Sequence, residues 1–237
     1  MVAMTLVFYS HKDYSDIWPV LFEQTNKYFD NSFKKILFTN KGEVPKGWDV
    51  IYYDDSKPYQ ERFISCLQKV NDDNIIIHHE DMFLFNKPDI NYIKRLYWLL
   101  NEQGYSFVKL IKTGANQGKY IAENLYEMSR TAEDYFAIQP TIWNKNKLIE
   151  VYRNAGGDSI WQFEIAAGRY CLHNNIKGVY CYNIDKDTPR GGHYDSTIYP
   201  YIATAVVKGK WNYKEYREEL EEIFDDISYH PTREVLK

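Results

Sequence analysis

Short apolar runs recur along this chain, each separated from the next by a stretch with helical periodicity, and no other feature restricts the fold as strongly. Runs of this kind, alternating with helices, are the signature of a mainly parallel α/β sheet whose strands are buried on both faces. Residues 6–9 open the series, and a helix follows from near Asp16, with Pro19 tolerated in its first turn and Trp18, Leu21, Phe22, Thr25 and Phe29 on one face. Residues 36–39 and 50–53 are the next two predicted strands. Phe63, Leu67 and Val70 give a second helix its stripe, and Ile75-Ile76-Ile77 is the fourth strand.

A third helix is predicted over residues 90–100, with Ile93, Leu96, Tyr97 and Leu100 facing inward. Later strands are expected at 107–111 and 135–138, on either side of a polar, glycine-containing stretch at 113–120. Ser159 with Gln162 forms a capping-box pattern that starts a helix through about Cys171, and Asn212 with Glu215 does the same for a last helix carrying Tyr216, Leu220, Ile223 and Phe224. No internal repeat interrupts this order.

With 237 residues, 44% hydrophobic and 26% charged, the chain is long enough to bury the core of one large domain. A net charge of -4 provides no basic field for a polyphosphate backbone, so nucleic acid is not an expected partner. Cys66, Cys171 and Cys181 are odd in number and widely spaced, which suits buried thiols in a reducing compartment. Met1-Val2-Ala3-Met4 runs straight into the first strand without the basic start of a signal peptide, and no stretch approaches the ~20 apolar residues of a membrane span. These features lead to the expectation of a cytoplasmic protein without a membrane span. The 22 tyrosines supply either sugar-stacking surfaces or, in their ordinary role, buried area.

In open α/β sheets, ligands collect at the carboxyl ends of strands, where loops converge. His78-His79-Glu80-Asp81 occupies that point, between Asn74-Ile75-Ile76-Ile77 and Met82-Phe83-Leu84-Phe85. Placing two adjacent carboxylates against a core costs on the order of several kcal/mol unless a cation or strong hydrogen bonds compensate. Carboxylate oxygen favours Mg²⁺ or Mn²⁺, which complete their shells with phosphate oxygens and water. The matching reaction class is displacement with a diphosphate leaving group. Acids at a strand end also cap the next turn and face water, and both readings stand at this point.

The run Ile75-Ile76-Ile77-His78-His79-Glu80-Asp81-Met82-Phe83-Leu84 resembles the DXD region of GT-A glycosyltransferases, with His79-Glu80-Asp81 in place of a strict D-x-D. The resemblance implies a GT-A fold, a mixed, mainly parallel α/β sheet flanked by helices, in a single catalytic domain over residues 1–237. Within it, 1–112 would be the nucleotide-binding half, 113–210 the acceptor and catalytic half, and 211–237 the C-terminal helix and tail. It further implies Asp81 as ligand to Mn²⁺ or Mg²⁺ and Glu80 as support for a nucleotide-sugar donor.

Further along, Gln139-Pro140-Thr141-Ile142-Trp143-Asn144 followed by Trp161-Gln162-Phe163-Glu164 is similar to small GT-A-like enzymes, in which the Trp and Phe of a W-x-F-E helix pack and the acid faces the cleft. Phe163, Ala167 and Tyr170 share one helical stripe, and Glu164 lies one position around from it. That makes Glu164 the candidate base for inverting transfer, against the plainer reading of a solvated glutamate near a helix N-terminus. Arg62, at the start of the helix before the acidic strand, is positioned by the same resemblance to pair with the diphosphate or with Asp81. Tyr9 and Ser10 correspond to the loop that holds base and ribose, although the same residues describe a plain turn. The stretch 188–195, with its paired glycines, resembles the C-terminal loop that closes over the diphosphate, with Arg190 contacting the donor and His193 the metal.

The expected activity is transfer of a sugar from a nucleotide-diphosphate sugar to a hydroxyl acceptor, a glycan, with inversion. Two rivals remain. A sugar nucleotidyltransferase usually brings a glycine-rich phosphate loop near its first strand, and Tyr9-Ser10-His11-Lys12-Asp13 contains no glycine. A carbohydrate-binding or assembly protein that kept the fold without catalysis fits the non-standard His-Glu-Asp.

Overall fold

The computed structural model describes residues 4–30, 32–114, 118–183 and 189–236. β1 (Met4–Tyr9) is buried along its whole length and pairs in parallel with β2 (Phe33–Thr39) on one side and β4 (Asn74–His79) on the other. β3 (Asp49–Tyr52) extends the parallel sheet beyond β2. Beyond β4 the direction changes, since β8 (Thr141–Asn144) runs antiparallel to both β4 and β5 (Phe107–Lys109). β9 (Gly178–Cys181) lies parallel to β5, and the short β7 (Leu125–Glu127) and β6 (Tyr120–Ala122) close the far edge. The order across these nine strands is β3-β2-β1-β4-β8-β5-β9-β7-β6, the mixed, mainly parallel α/β sheet anticipated above.

Side chains alternate across each strand, so β1 feeds both layers of helices. Phe8 packs with Trp48, which in turn meets Phe22 of α1 (Trp18–Tyr28). Tyr9 points the other way, to Tyr59 and Phe63 of α2 (Tyr59–Leu67). On that second side three helices meet through aromatic rings. Phe63 stacks on Tyr152 of α4 (Lys145–Asn154) at 4.4 Å, and Tyr152 meets Phe163 of α5 (Ile160–His173) at 4.6 Å. α3 (Ile90–Glu102) buries its predicted residues Ile93, Leu96, Tyr97 and Leu100, and Asp89 caps it by accepting from the Tyr92 N–H. α6 (Tyr213–Asp226) follows the two-stranded ribbon of β10 (Val206–Val207) and β11 (Lys210–Trp211).

Several local expectations are corrected. Residues 135–138 form turns rather than a strand: the Tyr135 and Phe136 rings are buried from a loop, and the Tyr135 hydroxyl donates to the Ile176 carbonyl at 3.0 Å. The strand lies just beyond, as β8, and β5 ends at Lys109 because its pairing with β8 and β9 stops there. α4, capped by Asn144 and buried through Leu148, Ile149, Val151 and Tyr152, was not anticipated. Ser159 caps α5 as expected, whereas the Asn212 side chain makes no cap and donates instead to the Thr204 carbonyl at 3.0 Å. The three cysteines are free and buried, and no helix among the described residues is long and apolar enough to cross a membrane.

Gly178 marks a close approach to the Phe107 ring. A Cβ there would stand 2.0 Å from the Phe107 ring, which is itself stacked on Trp143 at 4.5 Å. Gly178→Ala is therefore expected to destabilise the fold by about 1–3 kcal/mol through overpacking, read as a lower urea midpoint at unchanged slope.

Candidate active site

The strand order reverses between β1 and β4, and the crevice at such a switch point opens at the strands' carboxyl ends. β4 ends there in a tight turn closed by the Met82 N–H to the His79 carbonyl at 3.3 Å, with Glu80 and Asp81 at its centre. The apolar run after the acids is covered by a returning segment: Ile202 N–H donates to Phe83 at 2.8 Å and Phe85 N–H to Pro200 at 3.1 Å. The same segment grips Asp81. Its carboxylate accepts from the Val206 N–H at 3.2 Å and its carbonyl from Ala205 at 3.1 Å. Burial pushes both carboxyls above the ordinary range, and the charge of Asp81 raises Glu80 further, while the Val206 N–H partly offsets the effect on Asp81.

Asp81 opens onto a cavity of about 490 Å³ whose walls come from six parts of the chain. His79, Asp81 and Met82 form one wall and Ala203 and Thr204 a second, Glu133 and Asp134 stand on a third, and the first turns of α5 supply Trp161 and Glu164. The Glu164 carboxylate accepts from the Ile138 N–H at 2.6 Å, and burial raises its pKa. His193 enters from a two-residue hairpin in which Arg190 and His193 exchange backbone bonds around Gly191 and Gly192, whose φ values of 56° and 86° are those of a type I′ turn. The hairpin is bridged to Thr113, so it is a tied element rather than a slack loop, although Thr188 lies outside the described residues.

Three of the residues singled out from sequence, Asp81, Glu164 and His193, thus line one cavity. The others lie off its lining. Arg62 pairs with Asp55 at 2.7 Å and donates to the carbonyls of Lys57 and Asp55, rather than to Asp81. Tyr9 stacks on Tyr53 at 5.3 Å, and the buried Ser10 hydroxyl accepts from the Trp18 indole at 2.7 Å. Arg190 pairs with Asp195 at 2.8 Å and with Glu219, and its guanidinium lies 4.2 Å over the Tyr216 ring. Glu80 sits in the turn beside Asp81, within electrostatic reach of Tyr14 and Arg233. Trp161 is a correction to the packed Trp of the W-x-F-E reading: its ring is 76% exposed, while Phe163 is fully buried.

The two histidines divide. His78 is structural, stacked on Phe8 at 4.5 Å and bonded to the Tyr199 hydroxyl at 2.5 Å. His79 lines the cavity, joined through the Tyr59 hydroxyl at 3.2 Å to Tyr152, and burial lowers its pKa to about 4, so it is neutral. Sequence reasoning missed the polar floor of the cavity. Lys109, 2% exposed, donates to Thr113 at 2.5 Å and to the Asp134 carbonyl and carboxylate at 2.8 and 3.3 Å, and the Thr113 hydroxyl donates to Asp134. A lysine inside the apolar run 107–111 and the adjacent acids Glu133-Asp134 were the available signals.

Among the described residues, no three His, Cys, Asp or Glu side chains converge as a ready-made metal cage. The donors on the cavity lining are instead a carboxylate, Asp81, and an imidazole, His193, whose pKa burial and Lys109 lower. That set fits a hard divalent ion of the kind held by one or two protein ligands plus substrate phosphate and water.

No protein-family model matches the chain, and no curated protein sequence matches it. Solved structures share its fold. UDP-glucose pyrophosphorylase complexed with UDP-glucose aligns over 76% of this chain and 90% of its own at a TM-score of 0.52 and 8% identity. A 1–349 fragment of S. aureus TarS aligns over 95% of this chain and 64% of its own, with a TM-score of 0.52 and 12% identity. Against longer TarS the chain spans only 39% of the other's length, at a TM-score of 0.50. At these identities the likeness establishes the fold alone, a mixed, mainly parallel α/β sheet flanked by helices.

The raised carboxyls of the β4 turn carry a stability signature. A carboxyl whose pKa is higher in the folded state than its ordinary 3.8 or 4.5 costs stability once pH exceeds that ordinary value, and the cost grows until the folded pKa is passed. In metal-free buffer, Glu80→Gln should therefore gain on the wild type as pH rises from 5 toward 8, by at least about 1 kcal/mol in thermal or urea unfolding. A difference independent of pH would show that the turn does not hold strained acids.

Proposed function

We propose that the protein is a metal-assisted glycosyltransferase that moves a sugar from a nucleotide-diphosphate sugar to a hydroxyl acceptor, a glycan, with inversion. The observation that carries this reading is the meeting of Asp81, His193 and Glu164 on one cavity at the sheet's switch point. Asp81, with His193, would hold Mn²⁺ or Mg²⁺, which supplies charge neutralisation for the diphosphate leaving group. Residues 1–112 would carry the donor half and 113–210 the acceptor half, ahead of the C-terminal helix and tail at 211–237. His11, bonded to Asn40 and Asp55, and Arg62, paired with Asp55, would lie on the donor side, with Tyr9 and Ser10 in the loop that would hold base and ribose. Glu80, in the turn beside Asp81, would support donor binding. Arg190, neutralised by Asp195 and Glu219, would act by holding the hairpin that presents His193.

In the transfer step the acceptor oxygen forms a bond to the anomeric carbon as the bond from that carbon to the diphosphate oxygen breaks. The acceptor's hydroxyl proton passes to the Glu164 carboxylate. A base must be ionised yet avid for a proton at neutral pH, and burial moves Glu164 in that direction while the Ile138 N–H and Lys109 keep the anion accessible. Sugar transfer is preferred to nucleotidyl transfer, since the first loop offers no glycine-rich phosphate cradle.

Calorimetric titration of UDP-, GDP- and dTDP-sugars, with and without Mn²⁺, tests the reading. At least one donor is expected to bind more tightly with metal, and Asp81→Asn should abolish that enhancement. Glu164→Gln should bind the same donor normally yet lose transfer by about 10²-fold or more, and the wild-type rate should rise with pH through the elevated Glu164 pKa. The absence of metal-enhanced binding for all three donors would exclude the proposal.

A further inference from the structure

Water-exposed indoles are uncommon unless they meet something, and Trp161 is the most exposed large apolar side chain among the described residues. It does not stand alone. Ile160 and Ile165, 47% and 51% exposed, flank it on the same cavity rim. Residues three and four apart are neighbours on a helix surface, so Trp161 lies one turn from Glu164 and next to Ile165. The turn that bears it is rigid. Ser159 accepts from the Gln162 N–H, the Gln162 side chain accepts from the Asp158 N–H at 2.9 Å, and Phe163 is locked against Tyr152 and Phe136. A plate fixed in this way loses little entropy when a ligand lies on it.

Carboxylates line the same cavity, the exposed Glu133 and the half-buried Asp134 that Lys109 pairs. An apolar aromatic face that shares a cavity with hydrogen-bond acceptors matches a pyranose ring, which has a C–H face and a hydroxyl edge. The exposed Glu133 disfavours an anionic membrane surface, which would otherwise compete as the occupant of an exposed Trp-Ile-Ile patch. We infer that Trp161 is the stacking platform for the acceptor, a pyranose saccharide whose ring lies on the indole and whose attacking hydroxyl is thereby directed to Glu164. This assignment rests on the transfer reaction proposed above, and it makes Trp161 a specificity-determining residue.

The tryptophans allow a direct test that needs neither donor nor turnover. Apart from Trp161 only Trp98 is substantially exposed, at 58%, and the other four are 6% exposed or less. In Trp98→Phe protein, acrylamide quenching of tryptophan emission therefore reports Trp161. Maltotriose, mannotriose, chitotriose and galactotriose at about 20 mM, a concentration suited to millimolar binding, should include at least one that protects the indole. Protection by none of the four overturns the inference, as does protection by phosphatidylglycerol vesicles alone. With a donor that binds, Trp161→Ala should raise the acceptor KM about tenfold at unchanged donor Kd, and Trp161→Phe should recover most of it. An unchanged acceptor KM in Trp161→Ala also overturns it. Failure of every donor to bind would sink the transfer reaction while leaving the quenching result to stand by itself.

Discussion

Two neighbouring carboxyls held in a turn under an apolar return segment set the terms for the rest of this molecule. Glu80 and Asp81 follow a strand buried on both faces, and residues 200–206 fold back over them and over the run that comes next. The backbone N–H of Val206 satisfies part of Asp81, yet both groups remain displaced toward their neutral forms. A fold that needed only stability would be better served by apolar residues of similar size at such a place. Retaining two acids there makes chemical sense when a cation and a polyanion complete the site.

The sheet explains why the opposing groups arrive from so far away in sequence. β1 and β4 set the switch point, and the reversal at β8 brings the loop before it, carrying Glu133 to Gln139, to the same end of the sheet. α5 lies over that loop through the bond from Ile138 to Glu164, so the candidate base is positioned by the backbone rather than by another side chain. Beneath them Lys109 neutralises Asp134 and lends its positive charge to Glu164 and lowers the pKa of His193. One buried lysine thereby tempers an otherwise acidic cavity.

The parallel half was legible in the sequence because each strand there is a continuous apolar run and each helix carries a single stripe. The antiparallel half was not, for an opposite reason in each segment. β6, β7 and β9 are three or four residues long, too short for a period to declare itself. Residues 135–138 are apolar yet irregular, since their rings fill the core from a loop. Of the site, Asp81, Glu164 and His193 were visible as acids and an imidazole beside structural punctuation. Lys109 and Asp134 were hidden, because a buried ion pair joins residues 25 apart and nothing local marks either as a partner.

Helix geometry alone divides the W-x-F-E segment. Successive residues of an α-helix turn by about 100°, so Trp161 and Phe163 diverge by about 200° and cannot both face one core. Phe163 belongs to the stripe of Ala167 and Cys171, all three fully buried, which leaves Trp161 to solvent and sets Glu164 between the two directions. The intermediate position suits the proposed base: burial on its core side raises its pKa and the other side opens onto the cavity. In this helix the packed phenylalanine and the exposed tryptophan are two halves of one arrangement, the first fixing the angle at which the second and the acid between them meet the cavity.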